Sequence, residues 1–264
     1  MSLKEKANDI RKNILKIAYS SKGPHTGTAL SCADILSVLY FDTLNIPSFE
    51  DKNRDIFILS KGHGAMALYA TLYEKGYLSE EELFSYYKNG GTLPAHLDRD
   101  TNKAIEVSSG SLGHGLPQAL GFAYSKKLKE HNGGVFVLMG DGETQEGSVW
   151  EAAMLAPKMG LDNLCVLIDR NDLQGYARPS EIVSFEPIKE KFESFNWEVF
   201  RVNGHDMSKL KEALDTKSSK PKMIICDTIK GKGVSFMEDE MKWHYFIVTD
   251  EFLAQGLKEL ESVS

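Results

Sequence analysis

Five short apolar runs constrain this chain more than any other feature: Ile56–Leu59, Val135–Met139, Leu164–Ile168, Val199–Val202 and Met223–Cys226. They lack the apolar–polar alternation of a strand with one wet face, which suits strands covered on both faces. The segments between them carry helical spacing. Gly64–Glu74 offers Met66, Leu68, Tyr69 and Leu72, and Leu116–Leu128 and Glu146–Met159 are further candidates. Strands separated by helices imply right-handed β-α-β crossovers. The expected fold class is therefore α/β, a parallel β-sheet flanked by helices. Upstream, Lys4–Ser20 and Ala33–Tyr40 predict a helical portion packed on the sheet. Ser79 stands three residues before Glu82, a capping-box signature for a helix through Tyr87. Pro157 should end or bend the last helix near Ala156.

Composition narrows the function. The 264 residues carry 31 Lys+Arg against 38 Asp+Glu, a net charge of −7, with 42% hydrophobic residues. That is ordinary globular make-up, which excludes disordered, collagen-like and repeat-array classes. The acidic balance leaves no general basic footprint for nucleic acid. No apolar stretch approaches the roughly 18 residues of a membrane span, and the charged start of the chain does not look like a secretory signal. Cys32, Cys165 and Cys226 are too few and too scattered for a disulfide frame or a zinc knuckle, and are expected in the core. The expectation is a cytoplasmic protein forming one domain over residues 1–264.

In open parallel sheets, ligands bind beyond the carboxyl ends of the strands. The residues there should be Lys61, Gly140, Asn171, Asn203 and Lys230. Val135–Met139 runs straight into Gly140-Asp141-Gly142, followed by a helical pattern. Small residues at such a turn let backbone approach a phosphate closely, and a helix N-terminus favours an anion. Asp141 would supply an oxygen ligand at the same spot. A hard dication such as Mg²⁺ commonly bridges a protein carboxylate to phosphate oxygens. The next run leads into Asp169-Arg170-Asn171-Asp172-Leu173-Gln174. If the two strands are neighbours, the Asn171 amide oxygen and the Leu173 carbonyl could complete a cation site.

Gly-Asp-Gly after one strand, with Asn just after the next, resembles the thiamine-diphosphate binding motif. Further segments resemble transketolase signatures, in the family's order. They are His25-Thr26-Gly27-Thr28-Ala29-Leu30-Ser31, Ser60-Lys61-Gly62-His63-Gly64, Gly110-Ser111-Leu112-Gly113-His114-Gly115, Val202-Asn203-Gly204-His205-Asp206, Lys230-Gly231-Lys232-Gly233-Val234 and Trp243-His244. The match runs from about residue 10 to residue 245. The resemblance implies thiamine diphosphate as cofactor, with Mg²⁺ (or Ca²⁺ or Mn²⁺) held by Asp141, Asn171 and the Leu173 carbonyl. It places His63, Gly110, Leu112, Gly140, Gly142, Glu143, Lys230 and His244 against the cofactor. His25, His63, His96 and His244 match the family's active-site histidines, which handle substrate hydroxyls and protons. Glu146 and Glu151 match positions that face a partner subunit. His131 and His205 have the plain reading of surface or turn-anchoring residues.

In the family, a second domain supplies the glutamate that activates the cofactor, together with the pyrimidine pocket. No second parallel-sheet unit follows Leu253. The expectation is the N-terminal subunit of a split transketolase, working in an α₂β₂ assembly with a separate C-terminal subunit. The reaction implied is transfer of a two-carbon ketol unit from a ketose, or its phosphate, to an aldose acceptor. Departures from the usual pattern at Pro24-His25-Thr26, His114, Leu97-Asp98-Arg99 and Tyr245-Phe246 lie around the expected substrate channel. They keep open a transketolase-like enzyme of specialised sugar metabolism. Two readings of other classes also stay open on these residues: the α subunit of a 2-oxoacid dehydrogenase or decarboxylase, and a non-catalytic binding module.

Overall fold

The computed structural model describes residues 1–261. All five apolar runs form strands: β1 Ile56–Leu59, β2 Val135–Gly140, β3 Leu164–Arg170, β4 Glu198–Asn203 and β5 Lys222–Asp227. They make one parallel sheet in the order β1-β2-β3-β5-β4. Successive side chains divide between two cores. Phe57, Leu59, Leu138, Cys165, Leu167, Ile224 and Cys226 pack with the helices Leu3–Ser21, Ala33–Val38 and Ala65–Glu74. Ile58, Val135, Val137, Met139, Val166, Ile168 and Ile225 pack with Gly115–Leu128, Gly147–Lys158 and Ile188–Ser194. Both faces are dry, which is why the runs show no polar alternation. The edge strand β4 is less completely buried and carries Glu198 and Arg201. All three cysteines are unpaired and buried.

The cap expected from sequence is present, and one more is added. Ser79 accepts from Glu82 N while Glu82 reaches back to Ser79 N. Ser2 and Glu5 form the same reciprocal pair at the start of Leu3–Ser21. Each such cap stabilises its helix by about 1 kcal/mol. One helix end differs from expectation. The helix after Ser79 stops at Phe84, and Tyr87 turns the chain away with φ of 50°. The helix holding Pro157 ends at Lys158, one residue past the proline and close to the expected stop. Proline removes the N–H that would meet the Ala153 carbonyl four residues back. The Trp197 indole N–H donates to that carbonyl instead, at 2.8 Å. Among the described residues, no helix is long and apolar enough to cross a membrane.

Candidate active site

β2 and β3 are neighbours, with Gly140 opposite Asp169. Their carboxyl ends therefore bring Asp141 and Asn171 to the same edge of the sheet. Here a cavity of about 390 Å³ opens. It is lined by His25, His63, His96, Gly110, Leu112, Gly140, Asp141, Gly142, Glu143, Glu146, Asn171, Leu173, Lys230 and His244. Lys61 and Asn203, also expected at the strand ends, do not line it, and Asn203 borders a separate cavity. Glu146 and Glu151 are both exposed.

The turn after β2 holds Asp141 tightly. Its Oδ1 accepts from Gly142 N and its Oδ2 from Asp172 N, each at 2.7 Å. Gly142–Gln145 is a 3₁₀ turn, and the helix proper starts at Gly147. Burial first, and the Asp169 charge second, push the Asp141 carboxyl up to about 6. A carboxylate so buried and so poorly compensated suits a bound cation. Asn171 donates its amide to Asp169 Oδ2 at 3.3 Å, while its Oδ1 accepts from Leu173 N at 3.2 Å. The amide oxygen thus faces the Leu173 side with a lone pair to spare.

Beneath these groups lies an ion pair that the sequence pattern did not disclose. Lys61, at the end of β1, and Asp169, in β3, are both fully buried and in direct contact. Thr28 O accepts from Lys61 Nζ, and Ser31 and Thr228 donate hydroxyls to Asp169. Burial opposes both charges, but mutual attraction and these hydrogen bonds prevail. Lys61 stays above the usual amine value and Asp169 below the usual carboxylate value. Glu143 is likewise turned inward. It accepts from Gly113 N at 2.9 Å, from Gly140 N at 3.2 Å and from the Ser60 hydroxyl. Its carboxylate thus fixes three turns around the cavity, and burial raises its pKa despite those donors.

Lys230, 1% exposed, is the cation at the cavity wall. Its Nζ donates to the carbonyls of Leu173 at 2.9 Å and Gln174 at 3.0 Å, and meets His244 Nδ1 at 3.1 Å. Burial, then the Lys61 charge, lower it to about 8, so it remains largely protonated at pH 7. An ammonium only donates, so His244 Nδ1 accepts and its Nε2 carries the proton.

Four histidines close the other side. The His25 ring is the hub, with centroids at 4.9 Å from His244, 5.6 Å from His63 and 5.8 Å from His96. His25 itself sits in the left-handed region at φ 74°, a costly conformation for a non-glycine residue. Burial and the neighbouring positive charges lower His25 to about 4 and His244 to about 3, and hold His63 well below its usual value. These three rings are neutral at pH 7 and can each donate one hydrogen bond and accept another. The loops approach closely where side chains are absent. A Cβ on Gly62 would stand 2.7 Å from Gly110 N, and Gly110 itself has φ of 142° against the His96 ring.

The cavity also takes in residues to which the motifs assign no role: Thr28, Gln145, Gln174, Gly175, Tyr176 and Tyr245. Thr28 and Gln174 lie inside the motif segments, and Gly175–Tyr176 continue one of them. Tyr245 stands among the departures from the family pattern. His205 and His114 lie outside the cavity.

A family model described as the transketolase, thiamine diphosphate binding domain matches residues 2–256. A subunit of apulose-4-phosphate transketolase from Phocaeicola vulgatus is 39% identical over 255 residues, spanning 95% of this chain and 90% of that protein. The 6-deoxy-6-sulfo-D-fructose transketolase subunit SqwG of a Clostridium species is 36% identical, over 99% of this chain and 97% of that one. The crystal structure of transketolase from Campylobacter jejuni superimposes with a TM-score of 0.93 at 32% identity. It is matched over 99% of this chain but only 43% of its own.

Proposed function

The chain belongs to the transketolase family through its thiamine diphosphate binding domain, and from that premise we propose that it is the diphosphate-binding subunit of a two-chain transketolase. The observation that carries this is the cavity where β2 and β3 end, with Asp141, Asn171 and Leu173 on one side and the histidine cluster on the other. Relatives named as single subunits, aligned over 90% and 97% of their length, support the two-chain reading.

The donor chemistry fits the cofactor and its metal. Among the described residues no cluster of three His, Cys, Asp or Glu is assembled for a metal. The set is instead one carboxylate with neutral oxygens. That suits a dication such as Mg²⁺, which takes further oxygen ligands from a diphosphate. His25 Nδ1 and Gln174 Nε2 are buried in the cavity wall without a partner, as groups awaiting a ligand would be.

Thiamine diphosphate, when bound, supplies the electron sink for cleaving the bond beside a ketose carbonyl. The chain's own groups would hold the cofactor and handle the substrate. Asp141, the Asn171 amide oxygen and the Leu173 carbonyl hold the metal. Lys230 adds positive charge at the anionic end, while Gly110 and Leu112 pack towards the ring end. His244 offers a proton at Nε2. His25, His63 and His96 bind sugar hydroxyls and exchange protons with them. The activating glutamate is assigned to a C-terminal partner subunit, in an α₂β₂ assembly that acts on a sugar or sugar phosphate. The compartment proposed is the cytoplasm, where unpaired cysteines such as these persist.

The test is an assay of ketol transfer with thiamine diphosphate and Mg²⁺, using the chain alone and then mixed with its partner. Activity should need both. Full transfer by the isolated chain overturns the two-chain reading, and pyruvate turnover in place of ketose turnover overturns the transketolase assignment.

A further inference from the structure

Outside the cavity, four groups form a continuous hydrogen-bonded chain that ends beside Lys230. Arg11 and Asp34 are buried, His205 and Ile229 half-buried, and Arg11, Asp34 and His205 border a separate cavity of about 500 Å³. Arg11 clamps Asp34 with both terminal nitrogens, Nη1 donating to Oδ1 at 3.1 Å. His205 Nδ1 meets Asp34 Oδ2 at 2.6 Å. On the far side of the same ring, Ile229 N donates to His205 Nε2 at 2.9 Å. A backbone N–H can only donate, so Nε2 accepts and the proton sits on Nδ1, towards Asp34. Asp34 is ready to accept it. Burial opposes its charge, but Arg11 and His205 hold the carboxyl at about 2.

Ile229 immediately precedes Lys230, in the turn after β5. On either side the turn is tied by Thr228 N to Arg170 O at 3.0 Å and Gly231 N to Gly27 O at 2.9 Å. Between them the His205 ring takes the Ile229 N–H, while Asp239 N donates to the Lys230 carbonyl at 2.9 Å and Lys232 N to the Ile229 carbonyl at 3.1 Å. The ring is thus the side-chain tie at the peptide from which Lys230 leaves to meet Leu173, Gln174 and His244. Arg11, Asp34 and His205 stand in sequence segments far apart, none of them at the cavity.

We propose that His205 is a positioning residue for the diphosphate end of the cavity: oriented by the Arg11–Asp34 pair, it fixes the Ile229–Lys230 turn and so aims the Lys230 ammonium. This rests on the function proposed above. It differs from a packing role in one respect, namely which of the two ring nitrogens matters. Arg11 and Asp34 orient the ring, but the acceptor for Ile229 N–H does the positioning.

Two substitutions separate the nitrogens. Glutamine places an amide oxygen near the Nε2 position and keeps the acceptor for Ile229. Asparagine places an amide near Nδ1, keeping the contact to Asp34 and leaving Ile229 N–H without a partner. Binding of thiamine diphosphate with Mg²⁺ is measured by calorimetry on the chain assembled with its partner subunit. His205→Asn should bind about tenfold more weakly than wild type, the scale of one buried donor left unmet, and His205→Gln within a few-fold. In a Lys230→Met background the difference between the two variants should vanish. Any result in which His205→Asn does not bind more weakly than His205→Gln overturns the proposal, as does a difference that persists without Lys230. One further measurement needs no variant. The Ile229 amide should be protected from hydrogen exchange in the cofactor-free complex, and exchange at the rate of a free loop amide would also overturn it. A wild-type complex that fails to bind thiamine diphosphate would instead defeat the function itself.

Discussion

The backbone N–H of His25 donates to the carbonyl of His244 at 2.8 Å, and the two imidazole rings meet edge to face at 4.9 Å. A main-chain bond thus ties together two histidines from opposite ends of the chain, both facing the cavity. It also holds His25 in its left-handed conformation. Both rings are built in the neutral state, and that has a consequence for stability.

Unfolded histidine titrates near 6.5, whereas folded His25 and His244 titrate at about 4 and about 3. Between those limits the unfolded chain binds protons that the folded chain refuses. Stability is therefore full above pH 6.5 and falls as pH drops through it towards 4 and 3. The expected loss from pH 7 to pH 5 is on the order of 1 kcal/mol per histidine, allowing for their partial exposure. Melting temperatures of the cofactor-free complex across this range, for wild type and a His25→Gln/His244→Gln double variant, check it. The double variant should show the shallower slope, and equal slopes would exclude these histidines as the cause.

Asp141 and Asn171 are predicted to act together. Asp141→Ala or Asn171→Ala should weaken Mg²⁺-dependent binding of thiamine diphosphate by roughly a hundredfold or more, since each removes an oxygen donor. Calorimetry with and without Mg²⁺ reads this directly. Near-normal affinity in either variant would remove the metal assignment.

The Lys61–Asp169 pair is fully buried, so breaking one side leaves an uncompensated charge. Lys61→Met should cost roughly 3–5 kcal/mol of stability in denaturant unfolding. A double variant, Lys61→Met with Asp169→Leu, should recover part of that loss. If the single variant unfolds with wild-type stability, the pair does not carry the packing at the strand ends.

In the helix containing Pro157, the Ala153 carbonyl is met by a distant indole. Trp197→Phe keeps the ring in its aromatic cluster with Phe192 but removes the donor to the Ala153 carbonyl. The expected cost is about 1–3 kcal/mol, the penalty of a buried acceptor left unmet. Urea denaturation of wild type and variant checks it, and an unchanged midpoint would show that the carbonyl has no need of the indole.

Much of the site is visible in the sequence because its pieces are local. Asp141 follows a strand and Asn171 follows the next, so pattern and spacing alone place both at strand ends. The role of Glu143 is less visible. The family resemblance puts it against the cofactor, but its carboxylate is engaged by Ser60, Gly113 and Gly140. The turn that makes this possible is a 3₁₀ turn, and a helical pattern does not distinguish it from an α-helix. Pro157 marks the helix end legibly, but the fate of the carbonyl it frees is not visible in the sequence. Trp197 meets it from elsewhere in the chain.

By itself, then, the sequence determined which segments are strands, that their two faces are both covered, and which strand ends carry chemistry. Those properties follow from the hydrophobicity of consecutive residues and from turn chemistry, which act over a few positions. Only the tertiary structure decided that β5 lies between β3 and β4, that Lys61 neutralises Asp169, that His25 meets His244, and that His205 reaches Ile229. These pairings join residues far apart along the chain. They are selected by burial of both sheet faces and by the need to partner every buried charge and hydrogen-bonding group, constraints that exist only once the whole chain has packed.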